Sequence, residues 1–191
     1  MQDEKMHNQE CMDFDKYSQT LDRTTAWIEN CDTKASIILG GIGVIFGILL
    51  ASDYVKKIIE IFNNMICNIG IWSWIYIVVS VFSISTFIIG TLFLIRVLIP
   101  KKNPELFKEK GVIVDSVIFF QSIAKNKTYQ EYKSKVLDYT AENLCDDIIS
   151  QIYICSNICD KKFDNYKKGL ILSLCGFAIF ALMIIIGLFI I

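Results

Sequence analysis

The sequence predicts an all-α integral membrane protein with three transmembrane helices and a helical cytoplasmic head. Three observations carry that prediction: charge-free runs, the distribution of basic residues, and helical seams in the charged segments. The runs are 35–52, 63–95 and 169–191. The last two exceed the roughly 20 residues needed to cross a hydrocarbon layer about 30 Å thick. The first, with eighteen residues, is at the short end of that range. A hydrophobic content of 53% and a mean hydropathy of +0.46 are high for a soluble chain of 191 residues, which has room for one domain.

Topology follows from lysine and arginine. Four precede Ala35, two (Lys56 and Lys57) lie between the first two runs, and thirteen fall between Arg96 and Lys168. Basic residues near membrane ends stay inside. The expected order is therefore a cytoplasmic N-terminal helix (1–34), span 1 (35–52), a short external amphipathic loop (53–68), span 2 (69–95), a cytoplasmic helical segment (96–168) and span 3 (169–191). The first run starts too late for a signal peptide, and no small-residue cleavage site follows it. The net charge of −1 says nothing of partners, because acidic residues are mixed through the same segments.

Residues 1–12 are polar and aperiodic, so the only histidine, His7, is expected in an irregular tail. From there Phe14, Tyr17, Leu21, Thr24, Ile28, Cys31 and Ala35 alternate by three and four, the spacing of a helical seam. One helix, 14–52, is expected to carry this seam into span 1. Within the span Ser36, Gly40, Gly43, Gly47 and Ala51 form a stripe of small residues. Such a stripe lets a second helix approach closely, either inside one bundle or between chains of a homo-oligomer.

The loop after span 1 alternates Lys56, Lys57 and Glu60 with Ile58, Ile59, Ile61 and Phe62, which suits a helix lying at the interface. Trp72, Trp74 and Tyr76 mark the outer end of span 2, where such rings prefer the headgroup level. Arg96 ends that span, and Pro100 and Pro104 stop the helix. The apolar stretch 112–124 reads equally as a strand or a buried helical turn, with Phe119 and Phe120 packing against other cytoplasmic helices. Thr128 and Glu131 have the spacing of a capping box, so a helix should start near Tyr129. A second seam runs through Leu137, Ala141, Leu144, Ile148, Ile152, Cys155, Cys159, Phe163 and Tyr166. Glu142, Asp146, Asp147, Asp160 and Asp164 then point elsewhere, to a solvated face, and a break falls near Asp138 or Gly169. The helices 14–34 and 141–168 are expected to pair, with 97–140 laid against them.

No phosphate loop, dinucleotide fingerprint, HExxH or GxSxG motif occurs. With one histidine, in the tail, histidine-based acid–base or triad chemistry is excluded, and the reading is not an enzyme. Seven cysteines show no CxxC pairing and suit a reducing compartment; no metal site is expected. No ionisable residue interrupts the three spans, which argues against a proton-coupled transporter. Asp32 and Lys34 stand where the first helix meets the membrane. Solvation and snorkelling at the headgroups is one reading of them. A polar contact that couples head to membrane is the other.

Three strings share a family likeness. CDTKASIILGGIGVIFG (31–47), FFQSIAKNKTYQEY (119–132) and DDIISQIYICSNICDKKFDNYKKG (146–169) resemble, in order and spacing, the transmembrane effector family of Pycsar antiphage systems. The resemblance covers roughly 25–190; Gln121 stands where a glycine is common and Phe163 where a tyrosine is common. It implies a bacterial inner-membrane protein that senses a cyclic pyrimidine mononucleotide made by a partner cyclase. The implied output is loss of membrane integrity in the infected cell. No cofactor and no nucleic acid polymer is implied. A cytoplasmic pocket for such a ligand needs cations for its phosphate and an aromatic face for its base. Arg23, Lys125, Lys127 and Tyr129 are the candidates. An oligonucleotide-gated defence effector, a non-sensing helical membrane scaffold and a constitutive holin-like pore are the alternative readings.

Overall fold

A computed structural model describes residues 2–51, 54–67, 70–100 and 109–190. Ser52, Asp53, Asn68, Pro104 and Ile191, which figure in the expected boundaries, lie outside the described residues. Among the described residues six helices follow in order: α1 (Gln2–Ala51), α2 (Tyr54–Cys67), α3 (Ile71–Leu98), α4 (Phe120–Ala124), α5 (Tyr129–Leu137) and α6 (Ala141–Ile190). There is no strand among the described residues. Three of the helices are long and apolar enough to cross a membrane, within Phe14–Leu50, Ile71–Leu98 and Ala141–Phe189. The protein is an all-α membrane protein.

The first helix starts at Gln2 rather than near Phe14. The polar first dozen residues contain no glycine or proline and several good helix formers, so nothing stops the helix there. The C-terminal end of α3 is set by chemistry two residues on. Ile99 is extended (φ −71°, ψ 117°) because the Pro100 ring excludes helical backbone at the preceding residue. Of the two breaks considered for the last helix, one is present, at Asp138–Thr140 between α5 and α6; at Gly169 the helix continues.

The chain divides into two compact units, Met1–Asn30 with Pro100–Lys161, and Cys31–Ile99 with Lys162–Ile191. The second unit holds the apolar stretches of α1, α3 and α6. Its tightest seam joins α3 to α6 through glycine. A Cβ on Gly90 would stand 2.3 Å from the Ser173 backbone nitrogen, and one on Gly176 would stand 2.5 Å from that of Phe87. Neither position tolerates a side chain, so the two backbones touch directly. Gly169 packs in the same way on Leu94. At the far end Ile61, Met65 and Tyr76 form a buried cluster joined by Phe62, Ile77 and Met183. Trp72 and Trp74 are exposed, as befits rings at a membrane interface, but Tyr76 is not. Its hydroxyl donates to the Met183 carbonyl at 2.7 Å, a bond that a lipid-facing ring could not make.

The stripe of small residues on α1 takes no part in this packing. A Cβ on Gly40, Gly43 or Gly47 would meet nothing within 4 Å, and Ser36 is exposed, its hydroxyl donating to the Asp32 carbonyl of its own helix. Ala51's side chain lies outside the described residues. The seven-residue seam on the same helix does face inward. Thr24, Cys31 and Ala35 are buried, and Phe14, Tyr17, Leu21 and Ile28 are half-buried.

In the first unit, 112–119 is neither strand nor helix, and 120–124 forms the short α4. The segment is entered through a turn at Gly111, whose φ of 96° favours glycine. Phe119 and Phe120 lie against each other with ring centroids 4.8 Å apart and planes tilted by 57°, and Phe120 stays largely exposed. The capping box is present. Thr128 is the N-cap of α5, its hydroxyl accepting from the Glu131 N–H at 3.2 Å, while the Glu131 carboxylate accepts from the Lys127 N–H at 2.8 Å.

Candidate functional site

Two polar clusters stand out, one in each unit. In the first unit α6 turns a polar stripe inward. Asp147 is fully buried, and Ser150 and Gln151 nearly so, between the apolar Ile148 and Ile154. These side chains hold the irregular segment in place. Asp147 Oδ2 accepts from the Ser116 hydroxyl at 3.0 Å and from the Val117 N–H at 2.9 Å. The Ser116 hydroxyl accepts in turn from the N–H groups of Ile118 and Phe119. Ser150 accepts from the Ile113 N–H at 3.0 Å, and Tyr132 donates to the Val117 carbonyl. A chain segment without its own ladder of backbone bonds is thus satisfied by side chains of α6. The Asp115–Lys135 pair at 2.5 Å and the Tyr153–Glu109 bond at 2.7 Å add two links, of which Asp115 and Tyr153 are exposed. The Tyr139 hydroxyl is pushed above its ordinary range by burial, then by the negative charges of Asp147 and Asp115.

The expectation that Asp147 belongs to a solvated face is therefore overturned, since it is the least exposed residue of this cluster. The seam is rotated toward it. Leu137 and Ala141 are exposed, whereas Leu144, Asp147, Ile148, Gln151 and Ile154 face in. Three polar atoms here have no hydrogen-bond partner among the described residues: Asp147 Oδ1, Gln151 Nε2 and Gln121 Oε1.

In the second unit Asp32 pairs with Lys162, Nζ to Oδ1 at 2.5 Å, with the lysine side chain 5% exposed and the aspartate 35%. The pair borders a buried cluster of Cys31, Ala35 and Val97, against which Tyr166 packs. It ties α1 to α6. Lys34, two residues on from Asp32, is exposed. The two residues read together at the membrane edge have different surroundings.

Arg23 is exposed on α1; Lys125 and Lys127 are exposed between α4 and α5; Tyr129, 70% exposed, is the first residue of α5. Lys125, Lys127 and Tyr129 share one short stretch of surface, and no hydrogen bond or ion pair joins Arg23 to them among the described residues. Sequence reasoning passed over Asp147, Gln151 and Lys162. A signal was there: Asp147 and Gln151 are four apart beside the seam position Ile148, and Lys162 is three past Cys159 and four before Tyr166.

Three apolar helices with glycine-mediated contact, and a separate polar helical unit to which α1 and α6 also contribute residues, define a multi-span helical membrane protein. The comparisons narrow that class. The sequence matches the model of the Pycsar effector protein domain over residues 16–190. It is 30% identical over 159 residues to the Pycsar effector protein GmPycTM of Gulbenkiania mobilis, covering 79% of this chain and 81% of that one. No solved structure matches. The chain belongs to the Pycsar effector family, a family of membrane effectors of antiphage defence.

Proposed function

We propose that this protein is the cyclic-nucleotide-responsive membrane effector of an abortive-infection system in the bacterial inner membrane. Its ligand is a cyclic pyrimidine mononucleotide made by a partner cyclase, and binding to the polar unit impairs membrane integrity. The N-terminus and residues 96–168 are cytoplasmic in this reading, following the positive-inside rule. The observation that carries it is the family match, which spans both units in one stretch from 16 to 190. Support comes from α1 and α6, each of which contributes residues to the polar unit and to the apolar one.

A ligand shifts an equilibrium only by its differential affinity for the two states. Moving from about 1% to about 99% active requires about 5.5 kcal/mol, part of which assembly into an oligomer can supply. The test is dye release from liposomes carrying the full chain. Release should require the nucleotide and should vanish when residues 1–24 are deleted, which removes most of the first unit's α1 wall. Equal leakage with and without nucleotide would make the protein a constitutive pore. A reporter fused after Ile191 should behave as external to the cytoplasm.

A further inference from the structure

In the apolar unit a groove runs between α1, α3 and α6. Its walls include Ile38, Ile42 and Phe46 on α1, Phe87 on α3, and Leu174 and Phe177 on α6. The Phe87 ring has those of Phe46 and Phe177 as neighbours, with centroids 5.6 Å and 6.3 Å away. Ser173, which also lines the groove, donates its hydroxyl to the Gly169 carbonyl at 2.7 Å. The lining therefore offers hydrocarbon rather than hydrogen bonds. Phe46 and Leu174 stay exposed, so the groove is open to the side. Atoms that line such a void forfeit contacts until something fills it.

Charge at one end of the groove says what fills it. Lys34, Ile38, Ile42 and Phe46 recur at every fourth residue and share one face of α1, and Lys167 precedes Leu174 by two turns on α6. The two exposed lysines stand at one level, because their chain neighbours Ala35 and Tyr166 meet in one cluster. Asp32 is already matched by Lys162. Neither Lys34 nor Lys167 has an ion pair among the described residues, although Asp164 lies one turn before Lys167. From Lys34 to Phe46 the helix rises about 18 Å, close to the depth of one leaflet, about 15 Å. The small-residue stripe faces elsewhere: Gly40 is two residues past Ile38, about 200° round the helix, so a second copy packed on that stripe leaves the groove free. We propose that the groove holds an acyl chain of an anionic phospholipid, whose headgroup phosphate is held by Lys34 and Lys167. Lysine stems lie along apolar surface while their ammonium groups reach the headgroup. A zwitterionic lipid has the same chain but no net charge to set against two cations.

The lipid site does not depend on which messenger the protein senses, and it is tested without one. The full chain is placed in phosphatidylcholine nanodiscs doped with phosphatidylglycerol that carries a photoreactive group on its acyl chain. Adducts, mapped by mass spectrometry, should concentrate on 38–46 and 174–177 and spare exposed positions of α3 such as Phe82 and Ile89. Lys34→Gln and Lys167→Gln should each lower that labelling by about five-fold, the scale of one basic residue near an anionic surface. Both are surface changes that leave the fold intact. Arg96→Gln should leave the labelling unchanged, because Arg96 is nine residues past Phe87 and so on the opposite face of α3. Equal labelling by a phosphatidylcholine probe with the same chains would overturn the proposal. So would adducts spread evenly over the three helices, or lysine variants that label like wild type. Crosslinks from 38–46 to another copy of the chain would give the groove to a second protomer instead. Displacement of the probe by water-soluble glycerol phosphate would make this a site for free phosphate and overturn the lipid assignment.

Discussion

The apolar unit contains two kinds of glycine-bearing helix face. On α3 and α6, Gly90, Gly169 and Gly176 are where backbones meet, and no Cβ fits without displacing main chain. On α1, Gly40, Gly43 and Gly47 have the better spacing in sequence, yet no other element among the described residues comes within 4 Å of where a Cβ would stand. Burial agrees: 6% of the apolar window of α1 is covered, against 22% for α3 and 17% for α6. The lesson is that small residues in register license close approach and do not say to what. The α3–α6 pair is a fixed wall. Helix α1 is held to it at few points, chiefly by the Asp32–Lys162 pair with the buried Cys31 and Ala35, and by Phe46, whose ring lies 5.6 Å from that of Phe87.

The contrast can be broken at its strongest point first. Gly90→Leu drives a side chain into the Ser173 backbone, and overpacking of this severity should cost about 3 kcal/mol or more. Thermal unfolding in detergent would show a large drop or loss of the folded species; a wild-type Tm would mean that α3 and α6 are not in contact there. Next comes Asp32→Asn, which leaves the Lys162 ammonium buried without its counter-charge. Full burial would put that penalty at 3–5 kcal/mol. Because Asp32 is about a third exposed, about 2 kcal/mol is expected after solvent screening. Crosslinks placed between α1 and α6 should weaken in that variant.

Tyr76→Phe removes one bond within the wall, to the Met183 carbonyl, and should lower stability by about 1 kcal/mol. The smallest effect on folding is expected for Gly43→Leu with Gly47→Leu, within about 0.5 kcal/mol of wild type, since nothing in the chain is displaced. The same double variant should reduce the crosslinked oligomer in membranes if α1 is the face that meets another copy. Unchanged oligomer size would leave that face to lipid.

Much of this architecture was legible. The charge-free runs located the apolar helices, because hydrophobic length is a direct demand of the bilayer. The seam from Phe14 to Ala35 was correct at all seven positions, since a helix that buries one face must repeat every three or four residues. The capping box marked the start of α5 through local bonds alone. What escaped was non-local. Asp147 and Gln151 look solvated by residue type; only the 113–119 segment, about thirty residues earlier, makes them internal. Lys162 likewise needs Asp32, 130 positions away, to be a buried residue. The irregular course of 112–119 could not be read either, because its apolar composition suits any buried backbone and its bonds go to side chains of α6.

The unequal lengths of the apolar helices have one more consequence. At about 1.5 Å per residue, the 28 residues of α3 extend about 42 Å, while the charge-free stretch of α1, residues 35–51, reaches only about 26 Å. In a bilayer about 30 Å thick α3 must tilt and α1 is at the limit of its reach. A thicker membrane therefore strains α1 alone, and pulls hardest on the end where Asp32 meets Lys162. Lipid chain length becomes a control variable in its own right, with short-chain bilayers relaxing this protein and long-chain ones loading it.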